Sequence, residues 1–163
     1  MGTSAKVYMK QGAEELVAAS GGKIDAQSGS IITGVALNLR TRATTAEVNA
    51  GLALLPALAG YKYRITDLTM IAIGGSAATA TSVDIVTTQA ASAARPFVVA
   101  VAALTQSAVV KPDSANVTVL ADGASFIAND ENSGVYVAKQ AAGSNLATAA
   151  HIDVILSYVI EKA

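Results

Sequence analysis

The chain has 163 residues, of which 52% are hydrophobic, 4% aromatic and 14% charged, and its net charge is −1. So small a charge provides no long-range attraction to nucleic acid, and the absence of cysteine excludes disulfides and thiolate metal sites. No stretch approaches the roughly 20 apolar residues of a membrane span, and residues 1–10 lack the apolar segment of a secretion signal. We therefore expect a protein that is made in the cytoplasm and stays soluble until it assembles.

The apolar residues are mostly Ala, Val, Ile and Leu, and Trp is absent. Small side chains bury little surface each, at roughly 25 cal/mol per Å², so a monomeric core of this composition is weaker than an aromatic one. Burial at a subunit interface would strengthen it, and the covered surface would need few charges. The composition therefore favours an oligomer, with a stable Ala-rich monomer as the alternative.

Residues 1–43 form the first predicted region, an extended N-terminal arm that holds five of the eleven basic residues. Within it Leu16, Ile24 and Ile32 recur every eight residues, with Ser-Gly pairs between them. An even spacing places the three apolar residues on one face of an extended chain, and the Ser-Gly pairs indicate turns. The pattern predicts short strands separated by tight turns.

Such a strip cannot bury its apolar edge alone, because an isolated two-stranded hairpin is marginally stable in water. We expect the arm either to intertwine with the arms of other copies or to dock on a partner. A disordered arm that orders only on binding is the alternative. The candidate oligomer or partner contacts in this region are Leu16, Ile24, Ile32, Arg40 and Arg42.

Residues 44–163 form the second predicted region and alternate between strands and turns. Tyr61, Tyr63 and Ile65 follow a period of two, and Leu68 and the apolar residues after it continue on the other parity. A β-bulge or bend near Asp67 would account for the change. Further strands are predicted at residues 82–89, 96–103, 105–111, 117–119, 135–137 and 150–160. This spacing predicts an all-β domain, a jelly-roll-like antiparallel β-sandwich.

Two segments of this region resemble each other. Residues 78–86 and 147–155 are both Ala/Thr-rich, both follow a Gly-Ser pair, and each has a central aspartate, Asp84 or Asp153. The similarity predicts two alike loops that each lead into a strand. Chance similarity in an Ala/Thr-rich chain is the alternative.

Few residues suit catalysis. His151 is the single histidine and shares strand parity with Asp153, as in part of a catalytic triad, but no Gly-x-Ser-x-Gly turn or cysteine accompanies it. Asp84 and Asp153 would approach each other if their strands shared a sheet, as paired carboxylates do in glycosidases, but aromatic sugar platforms are scarce. We therefore predict no enzyme activity, no metal and no cofactor.

Several stretches resemble a family of tailed-bacteriophage head decoration proteins, also called cement or head-fibre proteins. The resemblance lies in residues 44–51, 54–57, 60–65, 72–85 and 143–148, and it spans residues 44–160. It implies a homotrimer that binds the major capsid protein on the outside of the head and stabilises the shell. The expected location is the virion surface, without nucleic acid or membrane as a partner.

A receptor- or glycan-binding fibre or tail protein is the alternative function, because it would share a trimeric β architecture. The scarcity of aromatic residues argues against stacking on sugars. The strand order, the position on the capsid lattice and the host are beyond what the sequence indicates.

Overall fold

A computed structural model of the protein describes residues 7–9, 16–18, 31, 33–89, 92–121 and 132–163. The chain divides into two compact units, Met1–Ile32 and Thr33–Ala163. In the first unit β1 (Val7–Met9) and β2 (Leu16–Ala18) pair in antiparallel fashion. Leu16 lies in β2 opposite Met9, whereas Ile24 and Ile32 lie outside the described residues, so their shared face stays a prediction.

The second unit is a β-sandwich of two antiparallel sheets, as predicted. One sheet has the strand order β4-β10-β6-β7-β9 and the other β3-β11-β5-β8. Among the described residues no helix is both long and apolar enough to cross a membrane. The elements are β3 (Ala36–Thr44), α1 (Thr45–Ala50), β4 (Leu52–Leu55), β5 (Tyr61–Ile73), β6 (Ser82–Gln89), β7 (Ser92–Ala100), β8 (Val109–Val110), β9 (Val117–Ala121), β10 (Val135–Lys139) and β11 (His151–Lys162).

The boundary between the units lies earlier in the chain than the sequence pattern placed it. β3 pairs with β11 along its whole length, from Ala36 opposite Val159 to Thr44 opposite His151. Residues 36–43, which we assigned to the arm, therefore belong to the sandwich, and Arg40 and Arg42 belong there with them.

The core lies between the two sheets and is formed by alternate residues of each strand. Ile152, Val154 and Leu156 of β11 are fully buried, and so are Val83 and Ile85 of β6. Because side chains alternate across a strand, the residues between them point to the outer faces. The burial pattern therefore defines which side chains each sheet presents to a partner.

The predicted bulge is present in β5. Ile65 lies opposite Tyr158 and Asp67 opposite Ser157, so Thr66 has no counterpart on β11. The Asp67 carboxylate accepts a hydrogen bond of 2.8 Å from the N–H of Leu68. The extra residue keeps buried side chains on the core side both before and after the bulge.

The two similar segments form a matched pair of loops. Ala78 and Ala147 make an isolated antiparallel bridge with reciprocal N–H to carbonyl bonds of 3.2 and 3.0 Å. Each is followed by a threonine with positive φ, Thr79 at 68° and Thr148 at 70°. In both copies the N–H two residues after the bridge alanine donates back to that alanine's carbonyl at 2.9 Å. The predicted likeness of the two strand beginnings is confirmed.

This pair of loops connects the two sheets in opposite directions. One loop leads from β5 in the four-stranded sheet to β6 in the five-stranded sheet, and the other leads from β10 back to β11. The two loops are hydrogen-bonded to each other at Ala78 and Ala147. The two connections between the sheets are therefore joined to each other at this point.

Three local predictions need correction. Residues 105–111 were predicted as a strand, but the strand is limited to Val109–Val110, and Gln106 forms only an isolated parallel bridge with Ala72. The strand is interrupted because Ser107 has a positive φ of 63° and the chain turns there. The strand predicted to reach residue 103 ends at Ala100, where a turn follows. The pattern also missed α1, in which the Thr44 side chain and Glu47 cap the first turn reciprocally.

Candidate functional site: the outer face of the four-stranded sheet

The outer face of the four-stranded sheet brings together the two arginines predicted as contacts. By outer face we mean the side chains of this sheet that point away from the core. It is cationic at one edge and apolar toward the other. Around Asp153 the residues of this face are Arg40 and Arg42 of β3, His151, Asp153 and Ile155 of β11, Ile71 and Ile73 of β5, and Val109 of β8.

One row across the sheet shows this gradient. Arg42 lies opposite Asp153, Asp153 lies opposite Ile71, and Ile71 lies opposite Val109. Val109 is 58% exposed, which is high for an apolar side chain in a sheet. An apolar surface bordered by arginines has the composition of a protein interface, where arginine is enriched and lysine is depleted.

Asp153 is the charged centre of this face. It is 7% exposed, although it points away from the core. The Nε of Arg42 donates to its Oδ1 at 3.2 Å, and the Nη2 of Arg40 lies 3.5 Å from its Oδ2. Because a covered carboxylate is stable only with a cationic or hydrogen-bonding partner, the two arginines satisfy Asp153 and are themselves held over the sheet.

The arginines nevertheless remain open to solvent. Their side chains are 72% exposed for Arg40 and 66% for Arg42. Two guanidinium groups share one carboxylate, so this group of three side chains has a net positive charge. Each guanidinium has five N–H donors, more than the contacts to Asp153 use.

His151 adjoins the same carboxylate, as its parity predicted. Its Nε2 lies 3.6 Å from Asp153 Oδ1, beyond hydrogen-bonding distance. The nearest hydroxyl in register is that of Thr44, which donates to Glu47 Oε2 at 2.7 Å and so serves the helix cap. Within the described ranges no three His, Cys, Asp or Glu side chains are grouped to hold a metal ion.

The β3 strand lies at one edge of the sheet. It is nine residues long and pairs with β11 on one side, and in the described part of the chain no strand pairs with its other side. An unpaired strand edge presents a row of N–H and C=O groups that another chain can bind. At about 3.3 Å per residue the edge is about 30 Å long.

The direction of the β3 backbone groups follows from its last residues. The N–H of Thr45 donates to the carbonyl of Ala150 across the sheet at 3.4 Å, whereas the N–H of Thr44 points away and donates to Glu47 Oε2 at 2.8 Å. Hydrogen-bonding direction alternates along an antiparallel strand. Residues 38, 40 and 42 therefore present their backbone groups to the free side of β3.

The core-facing side of β3 is incompletely covered. Ala43 is fully buried, but Leu37 and Leu39, which point to the same side, are only half-buried and pack against the margin of the core. An apolar surface thus lies beside the free backbone edge.

The second aspartate of the matched segments lies elsewhere. Asp84 is 1% exposed on the outer side of the five-stranded sheet, where Arg95 Nη1 contacts its Oδ2 at 3.2 Å. The two residues border a pocket of about 380 Å³ together with Val86, Lys139 and neighbouring residues. The condition stated for a carboxylate pair, that the strands of Asp84 and Asp153 share a sheet, is not met, because β6 and β11 belong to different sheets.

No match to the chain was found among protein-family models, curated proteins or solved structures. Of the predicted contacts, the structure places Arg40 and Arg42 side by side on one face, while Leu16 belongs to the other unit. The sequence pattern missed Asp153 as their common partner and Val109 as part of the same surface. The alternation of Leu37 and Leu39 with polar residues was the available signal that β3 belongs to a sheet.

Proposed function

We propose that the protein is a capsid decoration protein that binds the outside of a phage head as a homotrimer and stabilises the shell. In this proposal it acts by binding, without catalysis or a cofactor, and its partner is the major capsid protein. The observation that carries the proposal is the outer face of the four-stranded sheet, where exposed arginines on β3, an edge strand among the described residues, border an apolar surface. The resemblance over residues 44–160 supports it independently.

A surface of this kind suits a structural partner. Interfaces typically combine an apolar centre with a polar rim, and here Val109 and Ile71 supply the first and Arg40 and Arg42 the second. Each contact is weak, since an exposed ion pair contributes about 0.2–1 kcal/mol. Three linked copies raise the overall affinity by about 10²–10⁴, so a trimer with such faces would hold firmly to a repeating lattice.

The trimer itself is testable on the isolated protein. Light scattering coupled to gel filtration should give three times the chain mass of 16.3 kDa. A monomer at micromolar concentration would contradict the homotrimer.

Binding to the head is tested by reconstitution. Phage heads assembled without the protein are mixed with the recombinant full chain, sedimented, and heated to release their DNA. We expect saturable co-sedimentation and a higher temperature of DNA release than for untreated heads. Heads that neither bind the protein nor gain thermal resistance would refute the proposed function.

A further inference from the structure

We propose that β3 binds an extended segment of the shell protein by strand addition, and that this segment carries two carboxylates two residues apart on one face and apolar residues on the other. The identity of the partner rests on the proposed function. The mode of binding rests on three features of β3: its free backbone groups, its arginines and its half-covered leucines.

The backbone provides the first feature. Residues 38, 40 and 42 direct their N–H and C=O groups away from β11, as the bonds of Thr44 and Thr45 indicate. An added strand would pair with these groups and leave the bonds to β11 unchanged. Main-chain pairing supplies affinity in strand addition, and alternate side chains supply specificity.

The charges provide the second feature. Arg40 and Arg42 are two residues apart, so they lie about 7 Å from each other on the same face. An added strand would place its own residues i and i+2 beside them on that face. Since the two arginines share the Asp153 carboxylate and are 72% and 66% exposed, carboxylates at those two positions complement them best.

The leucines provide the third feature. The residue between the two carboxylates would lie beside Thr41 on the core-facing side of β3. The residues of the added strand beside Leu37 and Leu39 would point to that same side, and apolar, β-branched side chains fit there because they would cover the exposed parts of the two half-buried leucines. The expected segment therefore alternates acidic and apolar residues.

The same charges disfavour a second copy of β3 as the occupant. Pairing β3 with β3 would bring arginines of the two copies close together on one face. Like charges placed opposite each other in a sheet are destabilising. The complementary acidic segment must come from a different sequence.

Substitutions at Asn38 test the charge without disturbing Asp153. Asn38 is exposed on the same face of β3, two residues before Arg40. We expect Asn38→Glu to weaken binding of the full-length protein to undecorated heads by about tenfold or more, and Asn38→Lys to leave it unchanged or tighter. Thr118→Glu and Thr118→Lys, at an exposed position of β9 in the other sheet, are the matched controls and should leave binding unchanged. If Asn38→Glu and Asn38→Lys changed the affinity for heads equally, the proposal of an acidic partner segment would be wrong.

Amide hydrogen exchange tests the backbone pairing. In the free protein the N–H groups of residues 38, 40 and 42 should exchange quickly, and those of 37, 39 and 41 slowly. Binding to heads should protect the first set, read residue by residue after quenching and dissociation. If the wild-type protein binds heads but these N–H groups are not protected, strand addition is wrong and the proposed function stands. If the wild-type protein binds no heads, both the proposed function and this inference are wrong. Protection already present in the isolated oligomer would assign the edge to a second copy and refute the proposal.

Discussion

The charge cluster of Asp153, Arg40 and Arg42 offers the sharpest test of the structure. Asp153 is 7% exposed, so its carboxylate depends on the two guanidinium groups at 3.2 and 3.5 Å. Replacing both arginines by methionine removes the charges but keeps side chains of similar length over the carboxylate. A covered polar group left without partners costs about 1–3 kcal/mol, and a charged one more. We expect the double variant to lose about 2–3 kcal/mol of unfolding free energy.

Asp153→Asn completes a double-mutant cycle in which the paired methionine substitutions count as one change. That change alone leaves the arginines in water, and we expect it to cost about 1 kcal/mol or less. Added to the double methionine variant, it should restore most of the lost stability, because no uncompensated charge then remains. The coupling energy should reach about 2–3 kcal/mol, above the 0.3–0.5 kcal/mol expected for independent sites.

Urea unfolding near neutral pH measures these differences. All variants are compared at one protein concentration, since the stability of an oligomer depends on it. The ion pair of Arg64 with Glu161 is the control: its atoms lie 2.6 Å apart, but its side chains are 40% and 31% exposed, so Arg64→Met should cost only about 0.2–1 kcal/mol. Additive effects in the Asp153 cycle, or a double variant as mild as Arg64→Met, would refute the role given to Asp153.

Three further predictions concern the fold. Thr44→Ala should cost about 1 kcal/mol in urea unfolding, because it removes the cap of α1; an unchanged midpoint would contradict this. Gly75→Ala should destabilise by about 1–3 kcal/mol, because Gly75 has a φ of 151° and the new Cβ would lie 2.7 Å from the carbonyl oxygen of Thr148; wild-type stability would show that the matched loops tolerate a shift. Burial, and then the neighbouring Tyr158, raises the pKa of Tyr63 to about 12. The folded state therefore keeps a proton that the unfolded chain loses near pH 10, so stability should fall as pH rises from about 10 to 12. Tyrosinate absorbance should show a late-titrating group that Tyr63→Phe removes, and a wild-type curve without one would contradict the assignment.

The features that were best predicted from the sequence are those that depend on the local alternation of apolar and polar residues along a strand. The change of parity around Asp67 identified the bulge at Thr66, because one extra residue shifts every later side chain to the other face. The similarity of residues 78–86 and 147–155 identified two alike strand beginnings, and in both copies the threonine after the bridge alanine has the same positive φ. Their reciprocal bonding was not predictable, because it depends on which strands the fold brings together.

Other features had a signal that was misread or none at all. Thr44 and Glu47 have the spacing of a capping box, yet the six-residue helix between two strands was missed. β3 was assigned to the arm although Leu37 and Leu39 alternate with polar residues, as expected for a strand at the surface of a sheet. No local pattern shows that Asp84 and Asp153 enter different sheets, or that Arg40 and Arg42 share one carboxylate, because these contacts join residues far apart in the sequence.

The proposed function predicts that a phage encodes this chain, and its most direct test is a cryo-electron microscopy reconstruction of that phage's virion. We expect three β-sandwiches grouped around three-fold positions on the outside of the head, with β3 of each beside a strand of the major capsid protein. Density for the sandwich on the tail would support the receptor-binding alternative and contradict the account, and so would a particle that lacks the protein altogether.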